Sequence, residues 1–243
     1  MEYVLKVISA IFVTVYIARY IGPENFGILT YVLAIVSVFM AISRLGMDSI
    51  LVRELSMNSE RVPIMLGTAF WLMLMAAILS FTVLSAVIHL IEPDTTIRLY
   101  IWIIASGIVF QTIFVVDYSF QGQVKAKYSA IAKSLALLTS SLLKIYLVYL
   151  DVELLAIVIA FALDFALISI FLLITHALKQ QPFFFIQFDK KLIKPLLKSA
   201  WPMVLSALAI ILYMRVDQIM IKNMRHLQYL IFLFYHHILK DLV

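Results

Sequence analysis

The chain has 243 residues, of which 64% are hydrophobic and 14% charged, with a net charge of +5. Soluble domains run at about 45–50% apolar and about 25% charged, so this composition excludes a water-soluble globule. With no cysteine present, disulfide frameworks, thiolate metal sites and cysteine nucleophiles are excluded as well. The basic residues lie between apolar stretches instead of forming one face, which argues against nucleic acid and for loops on one side of a bilayer.

Apolar segments of about 17–25 residues are long enough to cross a membrane as helices. Seven occur in order: Val4 to Ile21, Ile28 to Leu45, Ile64 to Ile91, Leu99 to Val116, Ala130 to Leu150, Leu154 to Leu178 and Ser199 to Ile221. The expected fold is therefore all-α, a polytopic transmembrane helix bundle of about seven spans. The first segment is a bundle helix and not a signal peptide, because it lacks a small-residue cleavage site and six more spans follow. All six prolines are expected in connections or in a helix's first turn, where a missing N–H is harmless. Orientation follows from the basic residues. Lys6, Arg44, Arg53, Arg61, Lys125, Lys127, Lys133, Lys179, Lys190, Lys191, Lys194 and Lys198 fall on one side, against Arg19, Arg98 and Lys144 on the other. This asymmetry predicts a cytoplasmic N-terminus. Between the sixth and seventh spans, Lys190, Lys194 and Lys198 recur every four residues beside Leu192, Ile193, Leu196 and Leu197, the pattern of an amphipathic helix in the cytoplasmic interface. Beyond Ile221 the apolar run Tyr229 to Phe234 is too short to span, and the adjacent His236 and His237 diverge by about 100° on a helix, a poor joint metal site.

Ionisable residues inside the spans stand out, since a charge near the bilayer centre costs ~3 kcal/mol or more. Asp164 lies mid-span, about 15 Å deep, so it is protonated, paired or facing a wet cavity. For Lys144 the plain reading is a long side chain snorkelling to the outer interface. Arg215 and Asp217 are two apart and about 200° round a helix, so they do not pair with each other. Asp164 is a candidate partner for Arg215, whose face Gln218 shares, and Gln111 in the fourth span is expected to serve as packing glue between helices.

No zinc-protease motif, glycine-rich phosphate loop or acidic pair in an extramembrane loop occurs, so neither an enzyme nor a cofactor is called for. Three stretches resemble one family. ARYIGPENFG (Ala18 to Gly27), DYSFQGQVKAKY (Asp117 to Tyr128) and Trp201-Pro202 followed by Asp217-Gln218-Ile219-Met220 are similar, in order and spacing, to signatures of the polysaccharide (O-antigen and capsule repeat-unit) flippases. These belong to the superfamily that also holds multidrug extruders. The shared positions are Gly22, Pro23, Phe26, Gly27, Asp117, Phe120, Gln121, Gly122 and Gln218, with Tyr118 where the family usually has tryptophan.

The resemblance implies a six-helix lobe over residues 1–178, a cytoplasmic connection over 179–198, the first helix of a second lobe over 199–221 and a divergent tail over 222–243. It also implies alternating-access transport of an undecaprenyl-pyrophosphate-linked oligosaccharide across a bacterial inner membrane, alongside other glycan-assembly membrane proteins. Arg215, Lys144 and Arg19 would line the anion's path, and Asp164 and Asp217 would hold those cations or carry a coupling ion. The quoted resemblance stops at Ile221, where the family's V-G-x-Y element is absent. On that pattern the chain reads as a truncated lobe unable to flip substrate alone. A retinal receptor lacks its lysine in the seventh span. A glycan polymerase or glycosyltransferase would need a large outer loop, and a drug extruder of the same superfamily is the nearer alternative.

Overall fold

The computed structural model describes residues 2–57, 62–179 and 187–214, with side chains from residue 12 onward. All regular structure among them is helical: α1 (Glu2–Ser43), α2 (Met47–Met57), α3 (Val62–Ile91), α4 (Thr95–Ala105), α5 (Gly107–Phe110), a 3-10 turn (Gln111–Phe114), α6 (Val115–Gly122), α7 (Ala126–Tyr149), α8 (Leu154–Leu178) and α9 (Lys190–Met214). Six of these stretches are long and apolar enough to cross a membrane, α4 to α6 counting as one. The protein is thus a polytopic helix bundle.

The first of the six is folded double. Gly22 takes φ 76° and ψ 169° inside α1, a backbone state that favours glycine, and Pro23 opens the second arm with its φ already helical. As one straight helix, α1 would hold Val13 and Arg44 about 46 Å apart. Both line a single cavity instead, so the arms 2–21 and 23–43 turn back on each other. Counting the arms separately recovers the seven expected spans. The fold is clamped from outside α1. The Tyr20 hydroxyl lies within hydrogen-bond distance of Asp151 Oδ1 (2.8 Å) and the Val152 carbonyl (2.9 Å), while Tyr31 donates to the buried Glu92 at 3.1 Å.

Asp94 caps α4 by accepting from the Thr96 and Ile97 amides at 2.8 and 3.4 Å, which satisfies two of the amides that a helix start leaves free. At the opposite end, Leu45 and Gly46 both adopt positive φ, turning the chain from α1 into α2. The buried face of α2 (Met47, Ile50, Leu51, Leu55) then packs on α6. Helix approach there is very close: a β-carbon on Gly122 would stand 2.8 Å from Leu55 Cβ and 3.2 Å from the Val52 carbonyl.

The structure revises the chain around residue 190. The interfacial stretch expected at Lys190 to Lys198 and the span expected from Ser199 are one helix, α9. Pro195 and Pro202 therefore lie inside a helix and not in connections or first turns. One buried stripe, Leu196, Ala200 and Val204, runs through both parts at four-residue spacing. It meets the body at Gly46, whose Cβ position would lie 2.6 Å from Met203 Cβ. Packing of that continuous stripe outweighs the backbone hydrogen bonds the prolines remove.

Glycine substitutions separate packing from propensity. Gly122→Ala is expected to lower stability by ~1–3 kcal/mol through overpacking. Gly27→Ala, with nothing within 4 Å of its Cβ position, is expected to be neutral or to stabilise by up to ~1 kcal/mol. Thermal unfolding of the two variants in detergent reads the difference.

Candidate functional site

Residues Ala136, Leu137, Ser140, Ser141 and Lys144 recur at three- and four-residue spacing and so share one face of α7. Phe161, Asp164, Phe165 and Ile168 do the same on α8. With Val13, Thr14 and Arg44 from α1 and its exit turn, and Gln111 and Phe114 from the 3-10 turn, these two faces line a half-open cavity of about 420 Å³.

Its central feature is an ion pair. Lys144 Nζ lies 2.5 Å from Asp164 Oδ2, and the Ser140 hydroxyl donates to Asp164 Oδ1. The hairpin register explains this set. Ser140 stands nine residues before the end of α7 and Asp164 ten after the start of α8, so the two are level and a short hydroxyl suffices. Lys144 is one turn further out, about 6 Å. Side chains on a helix lean toward its N-terminus, which for α7 points deeper into the bundle, so the lysine reaches inward to the carboxylate. Its side chain is 8% exposed and its ammonium sits 4.0 Å from the centroid of the Phe161 ring. Lys144 therefore does not snorkel outward. Asp164, expected as a partner for Arg215, belongs to Lys144 instead. Its side chain keeps 27% exposure toward the cavity.

The third charge on the wall is Arg44. With its amide oxygen turned toward the arginine, Gln111 accepts from Arg44 Nε at 2.8 Å and donates to the Met40 carbonyl at 3.3 Å. Arg44 has no carboxylate partner among the described residues. Since Lys144 and Asp164 cancel, the described residues that line the cavity carry a net charge of +1. Gln111 is thus more than packing glue. It reaches this position because the helix between α4 and α6 is interrupted, and the Ser169 hydroxyl donates to the Phe110 carbonyl at 2.7 Å beside the interruption. Irregular backbone at membrane depth is tolerated where protein or a cavity covers it.

The remaining expected residues are spread out. Arg19 is exposed near the α1 fold and does not line the cavity; Arg215, Asp217 and Gln218 lie outside the described residues. Gly22 and Pro23 form the hinge and Gly122 is a close-packing position, whereas Gly27 is exposed on the second arm with nothing within 4 Å of its Cβ position. Phe26 is half-buried, Gln121 is exposed and Phe120 is fully buried against Tyr128 and His176. Asp117 is buried and pairs with Lys133 at 3.2 Å. Arg44, which composition groups with the basic loops, is a cavity residue that the sequence does not single out. Ser140 and Phe161 could have been found from their helical spacing to Lys144 and Asp164.

A bundle of apolar helices around an internal charged cavity defines a multi-pass membrane protein with a polar site at depth. The model of the family described as "Polysaccharide biosynthesis protein" matches residues 1–230, and the chain belongs to that family. The match runs past Ile221, where the resemblance was expected to stop. No curated protein and no solved structure matches the chain.

Breaking a buried ion pair on one side costs ~3–5 kcal/mol, whereas replacing both partners by apolar groups is often close to neutral. Lys144→Met and Asp164→Leu singly are expected to destabilise by a few kcal/mol, discounted for the partial exposure of Asp164. The double variant should cost less than the sum of the two. A double-mutant cycle on detergent unfolding checks this, and simple additivity would contradict the pairing.

Proposed function

We propose that this polysaccharide-biosynthesis protein translocates undecaprenyl-pyrophosphate-linked oligosaccharide repeat units across the bacterial cytoplasmic membrane, with its N-terminus on the cytoplasmic side. The observation that carries this reading is Arg44, a cation without a carboxylate partner among the described residues, facing an internal cavity beside the neutralised Lys144–Asp164 pair. A guanidinium presents paired donors that match phosphate geometry. Phe114, Phe161 and Phe165 give the same cavity apolar walls that suit a lipid-linked substrate.

In this reading Arg44 meets the pyrophosphate as it leaves the interface and Gln111 holds the guanidinium in place. Lys144 becomes a second cation whenever the substrate anion displaces or protonation neutralises Asp164. Arg19, Arg215 and Asp217 would extend the path beyond the cavity. An excess positive charge favours an anionic substrate over the cationic compounds that a drug extruder handles. A glycan-assembling enzyme is disfavoured because no group of His, Asp or Glu suited to a metal occurs among the described residues and the turn between α7 and α8 is short.

In cells that depend on this gene for surface glycan, Arg44→Ala is expected to lower export at least tenfold at unchanged membrane level, and Lys144→Ala, which also costs stability, to lower it at least tenfold per molecule in the membrane. Lipid-linked repeat units should accumulate in the inner leaflet, and Arg44→Lys should keep more activity than Arg44→Ala. Undiminished export in both alanine variants would overturn the proposal.

A further inference from the structure

Far from the cavity, two lysines converge on one aromatic ring. Lys179, at the C-terminal end of α8, places its ammonium 4.2 Å from the centroid of Tyr128, and Lys127, in the first turn of α7, places its own at 5.0 Å. The ring is a fixed platform, half-buried and packed on the fully buried Phe120 at 6.1 Å. Neither lysine has a carboxylate partner among the described residues. Two ammonium groups sharing one ring repel each other, and a single quadrupole offsets only part of that repulsion. The arrangement is therefore suited to an anion that binds both.

The surroundings select the kind of anion. On α7, Ile131 and Leu135 follow Lys127 at four-residue steps, and both are exposed. On α8, Ile174 and Leu178 lie four residues apart and are likewise exposed, and Lys179 follows Leu178 directly. Each apolar stripe thus ends at the same pair of lysines. A headgroup anion with two hydrocarbon tails fits this layout, whereas a soluble phosphate would leave the stripes unused.

We propose that the ends of α7 and α8 form a binding site for one anionic phospholipid, its phosphate held by Lys127 and Lys179 over Tyr128 and its acyl chains lying along the two exposed stripes. This site is separate from the transport cavity, and its test does not depend on that reading.

The test is lipid binding by the full chain in nanodiscs or by native mass spectrometry, comparing phosphatidylglycerol with phosphatidylcholine and with inorganic phosphate alone. The wild-type chain is expected to retain phosphatidylglycerol selectively and to ignore inorganic phosphate. K127Q/K179Q should bind it roughly thirtyfold more weakly, the scale of two lysines facing an anionic leaflet. K127R/K179R should retain it, and K190Q/K194Q, with the same loss of net charge, should bind like wild type. Thermal melting in phosphatidylcholine confirms that each variant is folded. Equal losses in K127Q/K179Q and K190Q/K194Q, no loss in either, or equal retention of phosphatidylcholine would overturn the proposal.

Discussion

The structure depends on the requirement that a charge in hydrocarbon find an opposite charge or water. Lys144 and Asp164 meet that requirement for each other across the hairpin of α7 and α8, which pack along their lengths. A shift of either helix by a turn would separate the pair and strand two charges. The pair therefore sets hairpin register as well as cavity chemistry, and Ser140 fills the other carboxylate oxygen without adding charge.

The helical breaks obey the same constraint. Gly22 folds α1 double at an end of the bundle, where Tyr20 can reach Asp151 and the Val152 carbonyl. An interruption at depth, from Ser106 through the 3-10 turn, places Gln111 and Phe114 on the cavity wall and draws a hydroxyl from Ser169 to a carbonyl beside it. A regular helix there would carry neither residue to Arg44 in the same way. Irregular backbone thus occurs where it shapes the cavity, the pattern expected of a site that handles polar cargo inside a membrane.

Much of this was legible in the sequence. Composition and apolar length predict the helix bundle, and the depth of Asp164 marks it as paired or wet. Other features were hidden because they depend on tertiary distance. Whether Lys144 reaches outward or inward rests on the hairpin register, which spacing alone does not reveal. Arg44 looks like one more basic loop residue until α1 folds back and Gln111 turns toward it. The prolines of α9 misled because a buried stripe can carry a helix through them.

The chain's lack of cysteine allows a direct test of the central claim, that the Lys144–Asp164 pair borders a water-accessible cavity and not a dry core. A single cysteine at Ser141, on the cavity wall, and another at Ala77, buried in the apolar core, can be probed in membrane vesicles with a water-borne thiol reagent. The account predicts rapid modification at Ser141→Cys and none at Ala77→Cys. Equal resistance at both positions would contradict it.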